Sequence, residues 1–349
     1  DHKVKAALVD KPRQWSLPKL RSREDPLVFF TLATQAVIGA FMVLFLGSFF
    51  GAESLSMDAH PIASRAILFG LLFLQTVALG MSTMHLGKPH RFYRAFNNLR
   101  YSPVSREVAA VTVFYILLVS YTLVKSGLFA WMPQGFIDGI AIVMGLFACI
   151  VGPITIYAMH KIYRIKARPY WNHWQILTSF YGNTLVLGSL SVGIVYALAL
   201  TLQGESIVPL MSGLGILIAV GLLSESIGLK AHADHLNAQG GEATAAHIEQ
   251  RTTFGNTYLA RNISLGASIA IILLLVIQGI DGYTGLLAWS LLTALIVVTA
   301  FVGRALFYVL VVPTTVPRGF FWGNQAFESL ARKSGLAEKP QVGVLTDKH

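Results

Sequence analysis

Eight runs of apolar residues, each long enough to cross a hydrocarbon core as a helix, constrain this chain more than any other feature. They fall at roughly 27–50, 62–84, 108–131, 136–159, 175–202, 206–228, 257–279 and 283–312, and a helical crossing needs about 20 residues. The runs are continuous rather than alternating. Lipid also tolerates no unpaired backbone, so helices and not barrel strands are implied. The expected fold is all-α: a polytopic membrane protein, an eight-transmembrane-helix bundle with both termini on the same side. Composition agrees, since 13% of the residues are charged where soluble domains carry about 25%.

The basic residues orient the bundle. Of the 27 Lys and Arg, 24 lie in the tail before the first run, in the connections after the second, fourth and sixth runs, and in the C-terminal tail, with Arg261 at the start of the seventh run counted to the connection before it. Arg65 and Lys125 stand near the other end, and Arg304 lies inside the eighth run. The positive-inside tendency then predicts a multi-pass protein of the cytoplasmic (inner) membrane with cytoplasmic termini. The net charge of +10 is accordingly a topology signal, and with no basic aromatic module beside it nucleic acid is not an expected partner. The chain divides into a basic N-terminal arm, 1–26, a membrane domain, 27–312, and a C-terminal tail, 313–349, expected to dock a partner subunit. The arm lacks the apolar core and small-residue cleavage site of a signal peptide; it reads as a solvated topogenic tail or as a docking arm.

Charge that the apolar runs avoid is concentrated in one stretch, Ser82 to Glu107, with the sequence STMHLGKPHRFYRAFNNLRYSPVSRE. Gly87 and Pro89 stop the second helix just past His85, which puts an imidazole at the membrane interface. Ser105 is a cap candidate for the third helix, and Glu107 is favoured in its first turn by the helix dipole. Such a site can exchange protons, with His85 titrating near neutral pH as acceptor, Glu107 relaying to the interface and Arg91 fixing charge. The competing reading has His85 closing a helix terminus and the arginines binding lipid headgroups.

Elsewhere the signals are sparser. Gln35 and Gln75 lie among apolar neighbours, where a buried amide more often bonds another helix than a ligand. Glu225 lies inside the sixth helix, near its basic end; an intramembrane carboxylate is a site candidate by default, although pairing with Arg304 would make it structural. Thr178, Tyr181, Gly182 and Asn183 suit close helix packing. The connection HKIYRIKARPYWNHW reads as an interfacial belt or a docking face. Residues 229–256 form the longest internal loop and carry His232-x-x-His235, a weak metal signal. The lone Cys149 cannot hold an iron–sulfur cluster, and with His85 and His160 at helix ends no interior histidine pair is expected for haem.

The motif M-H-L-G-x-P-x-R, followed by a short amphipathic segment and S-R-E, resembles the DmsC family, the membrane anchor subunits of dimethyl sulfoxide reductase-type molybdoenzymes. Gln35 within TQAVIGAF and the late Gly303-Arg304-x-x-Phe307-Tyr308 agree with it, and the resemblance covers roughly residues 27–312. It implies a menaquinol or related quinol site near the end of the second helix, served by His85, Gly87, Arg91 and Glu107, with Gln35, Arg304 and Tyr308 as further binding residues. Quinone is then a substrate, and no haem or iron–sulfur cluster is expected in this chain. The implied partners are an iron–sulfur electron-transfer subunit and a molybdopterin catalytic subunit. Two alternatives are an anchor of the NrfD or polysulfide reductase type and, from a different class, a membrane transporter. Gly152-Pro153 is the one candidate for the midplane helix break a transporter would show.

Overall fold

The computed structural model describes residues 12–311, except residues 23, 51, 58, 85, 87, 167 and 240 and the side chains of residues 241 and 242. His85, Gly87, the start of the N-terminal arm and the C-terminal tail therefore lie outside the described residues. The described chain is helical, with no strand. Its helices are α1 Asp25–Phe49, α2 Pro61–Met84, α3 Pro103–Lys125, α4 Gln134–Ile162, α5 Gln175–Gln203, α6 Val208–Gln239, the short α7 Gly241–Arg251, α8 Gly255–Gln278 and α9 Gly282–Val309. All but α7 are long and apolar enough to cross a membrane.

Burial ranks the helices. In α1, 78% of the most apolar stretch is buried, in α5 61% and in α6 50%, against 28–39% for the other five. The first helix is thus the axis of the bundle, and the outer helices turn residues such as Ile62, Phe73, Ile277 and Leu291 outward, as lipid permits. Two glycine pairs set the inner crossings. A Cβ at Gly39 of α1 would strike the Thr184 carbonyl of α5, and one at Gly188 would strike the Gly39 backbone. Between α5 and α6, a Cβ at Gly182 would stand 2.7 Å from the Gly221 carbonyl oxygen. These backbones approach closely only because the side chains are absent.

Several sequence expectations change. The third helix starts at Pro103, five residues early, and its cap is Ser102, whose hydroxyl accepts from the Ser105 backbone N–H at 3.3 Å. Glu107 consequently sits in the second turn and turns inward, 8% exposed, instead of meeting the dipole at the helix end. The sixth helix continues to Gln239 and α7 follows, so the expected 229–256 loop is mostly helix, because polar side chains beyond the hydrocarbon still favour helix when one face can pack. That extension places His232 and His235 on a helix, so the expectation of histidines only at helix ends fails. Arg261, counted above with the loop cations, lies within α8 and is buried. Helix α4 runs through Gly152-Pro153 without a break.

The arm lies on its own chain. Gln14 and the turn before α8 exchange two backbone hydrogen bonds, Gln14 N–H to Thr252 O and Asn256 N–H to Gln14 O. The Ser16 hydroxyl donates to the Thr253 carbonyl at 2.7 Å. Leu20 packs against the cluster that includes Leu306 and Leu310 at the end of α9, so both ends of the described chain meet at the basic end.

Candidate functional site at the basic end of the bundle

Helix α9 contributes Arg304 and Tyr308, four residues apart and hence on one face. Both are buried. The Arg304 guanidinium donates from Nη2 to Oε1 of Gln35 on α1 at 3.1 Å. Its Cζ lies 4.0 Å from the centre of the Phe180 ring and 5.8 Å from that of Phe307, a cation–π arrangement that in a desolvated setting contributes on the order of 2 kcal/mol. Gln35 is fully buried, and its Nε2 donor has no partner among the described residues. A buried donor left unmade costs about 1–3 kcal/mol, which makes the Gln35 amide a place for a ligand oxygen.

The Tyr308 hydroxyl bonds the hydroxyl of Tyr163, just past the end of α4. Tyr163 in turn meets Trp171, Phe180 and Phe307 edge to face, with ring centres 5.1–5.8 Å apart, and the Trp171 indole N–H donates to the Phe307 carbonyl at 3.0 Å. An aromatic wall thus surrounds the Arg304–Tyr308 face. Burial first, then the neighbouring Tyr308 and Glu107, hold the Tyr163 hydroxyl well above the usual phenol range. It therefore stays an O–H that can donate or pass on a proton. Among the described residues no Lys, Arg or His lies in salt-bridge range of Glu107.

Four residues singled out from sequence, Gln35, Glu107, Arg304 and Tyr308, accordingly gather on one region contributed by α1, α3 and α9. Arg91 does not join them. It lies exposed on the 3-10 segment Pro89–Phe96, none of whose residues is buried. Tyr163, Trp171 and Phe180 were missed as site residues; the aromatic run around Trp171 was legible only as an interfacial belt or a docking face.

A second polar centre adjoins the first. Glu225 of α6 accepts from the Ser179 hydroxyl at 3.1 Å and from the Asn183 amide at 3.5 Å, both on α5. It faces a cavity also lined by Arg261 and Arg304, with about 580 Å³ of empty space, part of it open to the surroundings. The anticipated Glu225–Arg304 ion pair is not formed: the ion pairs of the described residues are Lys125–Asp138 and Lys230–Asp234. Beyond the cavity, the rings of His173, His232 and His235 stack at 4.7–5.2 Å between centres. The Tyr170 carbonyl accepts from His232 Nε2 at 2.8 Å, and the Gln175 backbone N–H donates to His173 Nδ1 at 3.1 Å. Burial, followed by His235 and Arg164, pushes His173 down to about 4, so it is neutral at neutral pH. Among the described residues no group of His, Cys, Asp and Glu has the arrangement to hold a metal ion.

Comparison with known proteins decides the family. The model for the DMSO reductase anchor subunit (DmsC) matches residues 21–310. The chain belongs to this family. Within the anchor family, it is 31% identical over 179 residues to the C subunit of the anaerobic dimethyl sulfoxide reductase of Haemophilus influenzae, covering 50% of this chain and 58% of that subunit. It is 30% identical over 210 residues to the YnfH subunit of an anaerobic dimethyl sulfoxide reductase of Escherichia coli, covering 58% of this chain and 70% of that subunit. The first of these alignments spans little more than half the relative's length. The match to the anchor family includes every described residue of the Gln35–Arg304–Tyr308 region.

Proposed function

We propose that the chain is the quinone-reactive membrane anchor of a multi-subunit molybdopterin oxidoreductase, passing electrons between the quinone/menaquinone pool and an iron–sulfur subunit that serves a molybdopterin catalytic subunit. Membership of the anchor family supports the coarse role. The observation that carries the finer one is the buried Gln35 amide with a free donor, held beside Arg304 within an aromatic wall and next to a carboxylate and a tyrosine pair. A quinol ring stacks on aromatic faces, and its oxygens need donors in the oxidised form and proton acceptors in the reduced form. Gln35 and Arg304 supply donors; Tyr308, Tyr163 and Glu107 supply a proton path towards the start of α3. His85 and Gly87, which follow α2, complete the acceptor side in this reading, and Arg91 acts from the exposed 3-10 segment on the entering headgroup.

The test is to compare quinol-dependent and artificial-dye-dependent turnover in the same membranes. For His85→Ala and Glu107→Gln the quinol-dependent rate is expected to fall by roughly 10²- to 10⁴-fold, the scale of lost proton-transfer help, while the dye-dependent rate is retained. If both residues only shape the bundle, the two rates will fall together or not at all. The charge asymmetry supports a cytoplasmic basic end. Reporter fusions after α9 decide that assignment, because a basic face built to dock subunits would give the same asymmetry on the opposite side.

A further inference from the structure

Two cavities meet at one carboxylate. The larger runs from His232 and Gln250, towards the basic end, inward past Arg261 and Arg304. The smaller continues deeper into the bundle, with Ser268 and Thr299 in its walls. Glu225, Asn183 and Ala300 line both. His232 stands seven residues beyond Glu225 on the same helix, about 10 Å along the axis, so the cavity extends from the buried carboxylate towards the basic end. Its enclosed part has room for about two water molecules.

A carboxylate that stays charged in the membrane needs a cation closed against it, and one without a cation is stabilised by taking up a proton, since an unpaired charge there is costly. Glu225 is not closed off. Its bonds come from a neutral hydroxyl and a neutral amide, and its remaining side faces the cavity. Two cations look into the same space without forming ion pairs: Arg304, engaged with Gln35, and Arg261, whose Nε has no partner among the described residues. Tyr170 and Tyr258 complete the titratable walls around it, together with His232. Arg304 links the two centres, for it lines the cavity and also bonds Gln35.

We infer that Glu225 is a proton-exchange residue, reached by water from the basic end through this cavity, and that it takes one of the two protons released at the Gln35–Arg304 region. The second clause rests on the quinol reading above. Quinol oxidation breaks two O–H bonds, sends two electrons to the iron–sulfur partner and frees two protons. Two buried carboxylates flank the region: Glu107 beyond the Tyr308–Tyr163 pair, and Glu225 beyond Arg304. Each receives one proton, forming a carboxylic acid, and returns it to water at the basic end.

Infrared spectroscopy of the assembled complex follows carboxyl bands across pH and on transfer to heavy water. A carboxyl band that exchanges with solvent and disappears in Glu225→Gln is expected, with the quinol-dependent rate of that variant down by tenfold or more and the dye-dependent rate kept. Glu225→Gln keeps an oxygen to accept from Ser179 and Asn183, which favours folding. Ala300→Leu leaves the carboxyl in place and fills the junction, and it is expected to slow the exchange severalfold. The inference is overturned if no exchanging band depends on Glu225, if Ala300→Leu exchanges as fast as the parent, or if Glu225→Gln turns over quinol within twofold of the parent. An exchanging, Glu225-dependent band in a complex whose parent form shows no quinol-dependent turnover would sink the quinol reading and leave the proton-exchange site standing.

Discussion

At the scale of single residues, the site depends on polar groups that are costly where they lie. Arg304 is tolerated because an amide oxygen and two aromatic rings take over from water, and each of these can be removed separately. Gln35→Leu deletes the acceptor of the Arg304 bond and the free Nε2 donor together. The expected result is a fall in quinol-dependent rate of about 10²-fold, the scale of one lost preorganised donor, measured against the dye-dependent rate. Arg304→Lys keeps the charge but not the flat guanidinium that lies over Phe180, so it is expected to lose most of the quinol-dependent rate as well. The histidine stack makes a different prediction. Protonation of His173 is disfavoured in the folded chain, about 4 against 6.5 unperturbed, so its contribution to stability is full above about pH 6.5 and is lost as the pH falls towards 4. Thermal inactivation in detergent, followed from pH 7.5 to 4.5, is expected to accelerate over that window, and His173→Asn is expected to flatten the profile.

At the scale of elements, the bundle is a set of close helix crossings around α1 rather than eight equivalent spans. Gly39 and Gly188 let α1 and α5 touch backbone to backbone, and Gly182 and Gly221 do the same for α5 and α6. Gly188→Ala and Gly182→Ala are expected to lower the unfolding midpoint in detergent, by an overpacking cost of about 1–3 kcal/mol each, whereas Gly266→Ala, which meets open space, is expected to change it little. Because Arg304 reaches Gln35 across the α1–α9 contact and Glu225 reaches Ser179 across the α5–α6 contact, the alanine variants carry a second expected signature. Gly182→Ala should slow quinol-dependent turnover more than its loss of stability accounts for, readable as activity per folded complex.

At the scale of the whole molecule, the basic end gathers the arm, the 3-10 segment after α2, the aromatic connection before α5, α7 and the exit of α9. The candidate site lies just beneath that surface, so a docked electron carrier would need to cross only the thickness of the Trp171–Phe307 layer. The purified chain without partners is expected to show no visible absorbance from haem or iron–sulfur, checked by its spectrum before and after dithionite. The intact complex is expected to show both its partners' absorbance and a loss of quinol-dependent rate when the basic end is stripped of them.

The amino-acid sequence by itself determined the class, the number and approximate ends of the spans, and the polar residues buried among them, because a helix in lipid must announce itself by some 20 apolar residues and any charge among them is costly enough to signify. Gln35, Glu107, Glu225 and Arg304 were all legible on that ground. Which of them meet was decided only by the tertiary structure. Gln35 and Arg304 are 269 residues apart in the chain, and no helical period links them. Glu225 was legible as a site candidate or as a partner of Arg304, and only the fold gave it Ser179 and Asn183, since the rotation of a helix about its axis depends on its contacts with its neighbours as well as on its own hydropathy. Arg261, too, was counted with the loop cations although it stands four residues into the seventh run, and only the structure showed that it is buried inside α8, because hydropathy places a residue along a helix and packing decides which way it faces.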